Sequence, residues 1–200
     1  MEPIVHVLKY DYLESHKKRV CMFVLYCSLL VAILFGSGPL DEFEKRVDQY
    51  AKLHKEIDHK VPDLKKETDP KIIVQREKEF ADGIRAVRPL ARPGDILIPA
   101  VQPIFREIIK QETTGEAGRR NRSMILGEGN PKGPEAEASP KIVVHGPYPS
   151  AAPLSTVPPS VLKRLPLLPE ALHYRFIGRT LILWDTTGNF IVDFMPDAIR

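Results

Sequence analysis

The sequence predicts an α+β fold: an N-terminal membrane or export helix, two to three amphipathic helices, and a C-terminal three-stranded antiparallel meander. Three observations carry that expectation. Apolar residues recur at spacings of three and four from Leu40 to Val61 and in two later stretches. From Tyr174 onward the pattern changes to short runs rich in branched and aromatic residues, separated by turn residues. An uncharged apolar run, Val20 to Phe35, stands directly behind Lys17, Lys18 and Arg19.

The N-terminal run has the grammar of an export signal, with "VCMFVLYCSLLVAILF" after the basic residues and Gly36-Ser37-Gly38-Pro39 leading into acidic "LDEFE". Its length falls between that of a signal peptide and the roughly 20 residues that span a bilayer. The long stretch before the lysines and the absence of an A-x-A site favour an uncleaved anchor. The alternative is a cleaved signal, with cuts near Gly36 or Gly38. Either way the membrane is met through residues 20–37, and the positive-inside rule places residues 40–200 outside the cytoplasm, periplasmic or extracellular. Bulky Tyr26 before Cys27 argues against a lipoprotein. Both cysteines, Cys21 and Cys27, lie inside the apolar run, so the rest of the chain must hold together by packing.

The first helix has Leu40, Phe43, Val47, Tyr50, His54, Ile57 and Val61 on one face and ends before Pro62. A second opens at Asp69 with Pro70 in its first position and stops before Pro89, its apolar face being Ile73, Phe80, Ile84 and Val87. After an "RPGD" turn a third short helix carries Val101, Ile104, Phe105, Ile108 and Ile109, with Pro103 in its first turn. Residues 113–140, poor in apolar side chains, read as a flexible linker with one helical turn near Met124. "KIVVH" reads as a strand. Ten of the chain's 19 prolines fall between Pro131 and Pro169, and the proline-rich stretch after "KIVVH" reads as a strap across the helices, with a short helix at Pro158-Pro159 capped by Ser155 or Thr156. "YRFIG", "TLILWD" and "NFIVDFM" form the meander, turning at Gly178-Arg179 and at "TTG". The chain thus divides into 1–38, a stub with anchor or signal; 39–112, helical; 113–140, linker; and 141–200, strap and meander, forming one domain with 39–112.

Charge excludes one partner class. With 29 basic and 26 acidic side chains dispersed along the chain and a net charge of +3, there is no footprint for nucleic acid. The acids worth weighing are Asp185 and Asp193. Asp185 opens a turn, where bonding to the following amides is its ordinary role. Asp193 interrupts an apolar strand face, by alternation the one it shares with Ile191 and Met195, and Arg175 or Arg179 on the neighbouring strands would be its ion-pair partner. If the chain is a hydrolase, these four residues are its catalytic candidates. His54 and Asp58 share a helix face, but His59 is turned off it, and only His145 or His173 could add a third metal ligand. No cofactor or metal site is therefore predicted. "GEGNPKG" lacks the strand and helix of a phosphate loop. Asn121 begins an N-R-S sequon, of meaning only in a eukaryotic secretory host. "HGPYPSAAPLSTVPPS" could offer Tyr148 to a polyproline-reading protein partner.

The tail from Ala152 to Ile199, with its Leu168-Pro169-Glu170, Tyr174-Arg175-Phe176 and Ile191-Val192-Asp193, together with "ARPGDIL" at 91–97, resembles a group of exported bacterial proteins of acidobacterial type. In those an export signal precedes a helical pair and a closing segment L-P-E-x-L-x-Y-R-F-x-G-R, then D-x-x-x-N-x-I-V-D. The resemblance implies bacterial export and a shared fold and brings no catalytic residues. The expectation is a membrane-anchored or exported envelope protein acting through structure or interaction. The alternatives are a periplasmic hydrolase using Asp193 or Asp185 and a small-ligand or metal-binding domain.

Overall fold

A computed structural model describes residues 38–64, 69–128, 141–149 and 157–199; the export segment at 20–37 and the Ser155 or Thr156 cap lie outside the described residues. Among the described residues no helix is long and apolar enough to cross a membrane.

Helix α1, Pro39–Asp58, has acids in its first turn and Lys55 in its last, which suits the helix dipole. Its periodic face buries Phe43, Val47, Tyr50, His54 and Ile57, while Leu40 stays exposed. Helix α2, Pro70–Val87, opens as expected: Asp69 accepts the Lys71 N–H at 2.8 Å and Pro70 fills the first turn. Of the apolar face read from its sequence only Phe80 and Ile84 are buried; Ile73 and Val87 are exposed. Gly83 sets how closely the two helices pack, because a Cβ there would lie 2.7 Å from Cγ2 of Ile57. Helix α3, Gln102–Thr113, buries Phe105 and Ile109.

The linker expected over 113–140 is corrected in its first half, where Gly115–Glu128 forms helix α4. Its amphipathicity is weak, which hid it. Tertiary anchors compensate: Ile125 is fully buried, and Asn121 Nδ2 donates to the Glu112 carbonyl at 2.8 Å and to Ser160 Oγ at 3.0 Å. Gly115, at φ 71°, lets the chain leave α3 and begin α4 at once.

The meander is present. Strands β1, Leu172–Ile177, β2, Thr180–Asp185, and β3, Phe190–Met195, pair antiparallel in the order β1-β2-β3. The first turn takes two residues, with Gly178 at φ 56°. Leu181 and Leu183 point into the helical core, whereas Ile182 and Trp184 point to the opposite face. The simple alternation expected of β3 is overturned by a bulge. Leu183 pairs with Asp193 but Trp184 pairs with Ile191, so Val192 is an extra residue. Val192 and Met195 therefore face the helices while Ile191 and Phe194 face outward. Asp193, opposite Leu183, belongs to the inner side.

"KIVVH" is not a strand. His145 takes φ 61° and Gly146 N–H bonds back to Val143 O at 3.0 Å, which turns the chain. The segment then lies along the free edge of β3, with His145 N–H donating to Ile191 O at 2.7 Å and Tyr148 N–H to Asn189 O at 3.0 Å. The start of the strap thus lies on the sheet, with Ile142 and Tyr148 against its outer face, whereas Val157, Val161, Leu165 and Leu168 pack into the helical core and Ser160 and Arg164 bond to Asn121 and Glu112, so residues 157–168 do lie across the helices. A sheet edge is an open row of donors and acceptors, and this one is paired by the chain itself. Helix α5, Pro159–Leu162, follows Val157 and buries Val161. Its N-cap is Pro158, with no side-chain cap bond.

Candidate functional site

Asp193 is fully buried, and the bulge determines what it meets. One oxygen accepts N–H bonds from Gly94 and Phe194, each at 2.8 Å; the other accepts from Ile96 and Leu97, each at 2.7 Å. Burial pushes its carboxyl above the usual range, and the four amide donors pull the other way. The expected ion pair with Arg175 or Arg179 is therefore corrected. Arg175 stands on the outer sheet face, its guanidinium 5.5 Å from the Trp184 ring centroid. Arg179 donates from Nε to Ile199 O at 3.0 Å and holds the last residues against the hairpin. The backbone of the "RPGD" turn replaces both cations. Gly94, at φ 87°, shapes that turn so its amides converge on one carboxylate.

Asp185 is a turn residue and something more. Its Oδ1 accepts the N–H groups of Thr187 at 2.9 Å and Gly188 at 3.0 Å, the bonding expected of a turn-opening aspartate. Its Oδ2 accepts the Tyr50 hydroxyl at 2.6 Å and lies 3.4 Å from Nε2 of His54. Desolvation, the Asp185 charge and their hydrogen bond together hold the Tyr50 phenol well above its ordinary range. Thr187 Oγ1 completes the group, 3.1 Å from the same Nε2. These side chains stand at the head of a cleft of about 420 Å³ between α1 and the β2–β3 turn, with Lys55, Asp58, Glu170 and Thr186 among its walls.

Hydroxyl, imidazole and carboxylate side by side invite comparison with a nucleophilic triad, and the geometry differs in one decisive respect. A triad imidazole takes the hydroxyl proton on one nitrogen while the carboxylate holds the other. Here Thr187 and Asp185 both face Nε2, so the ring cannot relay a proton between them. The cluster instead fastens the turn to α1. Gly188 shows how tightly: a Cβ there would lie 2.5 Å from Cε1 of Phe190 and 2.7 Å from Cδ1 of Phe80.

The histidines among the described residues are dispersed. His54 faces Asp185, Asp58 pairs with Arg76 at 2.7 Å, His173 bonds the Glu170 carbonyl at 3.1 Å, and His145 sits on the strap. Among the described residues no group of three or more His, Cys, Asp or Glu side chains is placed to hold a metal ion. The Asn121 amide of the sequon is committed to Glu112 and Ser160. Tyr50 and Thr187 are the members of the cluster that sequence reasoning missed. The available signal was a tyrosine on the periodic, core-facing side of a helix, whose hydroxyl must find an acceptor when buried. Comparison with family models, with curated proteins and with solved structures returned no match in any of the three.

Proposed function

We propose that the chain is an exported or membrane-anchored bacterial envelope protein, held to the membrane through residues 20–37, whose remaining residues act by interaction rather than by catalysis. The observation that carries the non-catalytic part of this reading is the commitment of its buried acids: Asp193 is saturated by four amides, and Asp185, fully buried, accepts from two amides and the Tyr50 hydroxyl. Carboxylates so engaged and fully buried present no face to a substrate. The resemblance of the tail to exported acidobacterial proteins supports the same location.

Complementation of a deletion strain tests the activity. Thr187→Val removes the hydroxyl facing His54 and should complement fully; loss of function in a variant that folds normally would establish the hydrolase instead. Location is tested by protease added to permeabilised outer envelopes. Digestion of residues 40–200 is expected, and protection there would refute export. A second reading, small-ligand binding, is favoured by the cleft beside His54, where Lys55, Asp58 and Glu170 supply charges at its mouth.

A further inference from the structure

Among the described residues three backbone hydrogen bonds fasten the start of the strap to the edge of β3: His145 N–H to Ile191 O at 2.7 Å, Ile191 N–H to Gly146 O at 2.9 Å and Tyr148 N–H to Asn189 O at 3.0 Å. Tyr148 adds a tilted ring contact with Trp184, 5.4 Å between centroids, and Ile142 packs on the outer sheet face. Arg85 of α2 reaches across and donates from Nη2 to the His145 carbonyl at 3.2 Å. The fastening turns on His145.

That residue is held in two unfavourable states at once. Its φ of 61° lies in the left-handed region, which costs any residue that carries a Cβ. Its ring stands T-shaped against Phe190, 6.0 Å between centroids, with Nε2 shut off from solvent and without a hydrogen-bond partner among the described residues. An imidazolium donates from both nitrogens, so charging this ring in place would bury an N–H with nothing to accept it.

The surrounding charges oppose the proton as well. Arg85 and Arg88 act on the ring from α2, Arg85 being paired with Asp82, and Asp95 in the turn after α2 is the acid that pulls the other way. From β3 the ring meets the uncharged Phe190 side chain. Burial first, then Arg88 and Arg85, push the imidazole down from its ordinary value near 6.5 to about 4. A seated strap thus holds a neutral histidine, whereas a strap lifted into water lets the same ring charge at its ordinary value. Opening is therefore coupled to proton uptake, absent above about pH 6.5 and increasingly favoured as pH falls toward 4.

We propose that the start of the strap is an acid-released latch, in which proton uptake by His145 unseats residues 142–148 from β3 and bares the backbone of Asn189 and Ile191. A bared edge is a row of donors and acceptors open to an added strand. The sheet survives the release, because β3 stays paired to β2 along its other side and keeps Val192 and Met195 in the helical core. The latch stands apart from the interaction reading above and rests on none of the buried acids.

The test is native-state hydrogen exchange on the full chain in detergent at about pH 7.5 and about pH 5, with each rate referred to the intrinsic rate of that amide at that pH. Over this interval a ring at about 4 when seated and 6.5 when released changes the opening constant roughly 30-fold. Expected is a loss of protection of that order at the His145, Tyr148 and Ile191 amides, while the amides joining β1 to β2 keep theirs. His145→Asn tolerates the positive φ and has no proton to gain, so its strap should be equally protected at both pH values. The latch is overturned if wild-type strap protection changes by less than about threefold, or if it falls by the same factor as that of the β1–β2 amides, which is global unfolding. A folded His145→Asn that loses protection as the wild type does overturns it equally, and the wild-type comparison decides alone where that variant fails to fold.

Discussion

Asp193→Asn separates a structural from a catalytic aspartate in a single substitution. The carboxylate receives four amide protons, two on each oxygen. Asparagine keeps one oxygen, so in either orientation two N–H groups retain an acceptor and the other two face an NH₂ group. Each buried donor left unmet costs about 1–3 kcal/mol, which gives about 2–6 kcal/mol for the pair. Burial of the charge, which pushes this carboxyl up, disappears with the charge and returns part of that. The expected net loss is about 2–4 kcal/mol, a large share of the roughly 5–15 kcal/mol that holds a domain together. Urea unfolding at neutral pH reads the loss as a lower midpoint at unchanged slope. Hydrogen exchange then locates it: the amides of Ile96 and Leu97, or of Gly94 and Phe194, should lose protection beyond the global change. A variant within about 0.5 kcal/mol of the wild type, with all four amides as protected as before, would refute the reasoning.

Gly94→Ala places a Cβ at φ 87° in the turn that donates to Asp193 and should cost about 1–2 kcal/mol, read by thermal unfolding. Tyr50→Phe removes a donor to a buried carboxylate and should cost about 1.5–3 kcal/mol by urea unfolding, with the overall fold intact by circular dichroism. Gly188→Ala forces a methyl group into the Phe80 and Phe190 rings and should cost about 1–3 kcal/mol, with lost near-ultraviolet dichroism from repacked aromatics. His145 is pushed down to about 4, first by burial and then by the charges of Arg88 and Arg85. Between its ordinary value near 6.5 and 4 the unfolded chain binds the proton more readily, so this group makes stability fall as pH drops through that window. His145→Asn tolerates the positive φ and should be near neutral at pH 7, yet flatten the pH dependence of the urea midpoint between about 6.5 and 4.

The parts of the fold legible in the sequence were those whose local signal agreed with the tertiary outcome. Helix α1 announces itself by unbroken spacing, and α2 by the Asp69-Pro70 start. The meander shows itself by β-branched runs and turn residues. Two failures have one cause. Helix α4 is too polar to show a period and is held by Ile125 and the Asn121 bonds, while residues 145–148 follow the β3 edge because that edge offers their backbone partners. Both outcomes rest on contacts far apart in sequence, which no window of residues contains. His145 adds a local obstacle, since a non-glycine residue at φ 61° gives no warning in composition.

The bulge in β3 explains why Asp193 was located correctly as anomalous and assigned the wrong partners. Period-two reasoning places it on the face of Arg175, and one extra residue, Val192, moves it to the other side of the sheet. There a carboxylate would be a liability without strong donors, and the chain supplies them from residues 94–97. That segment and the I-V-D of β3 lie far apart in sequence, and the structure brings them into direct contact. A motif pair of this kind reads at first as an active site, because acids, glycines and arginines gather in it. Its geometry makes it a clasp: the glycine frees the turn, the amides converge, and the aspartate fastens the segment leading into α3 to the edge strand of the sheet. A segment so fastened keeps Asp95 and Ile96 in register beside Arg46 and Arg88.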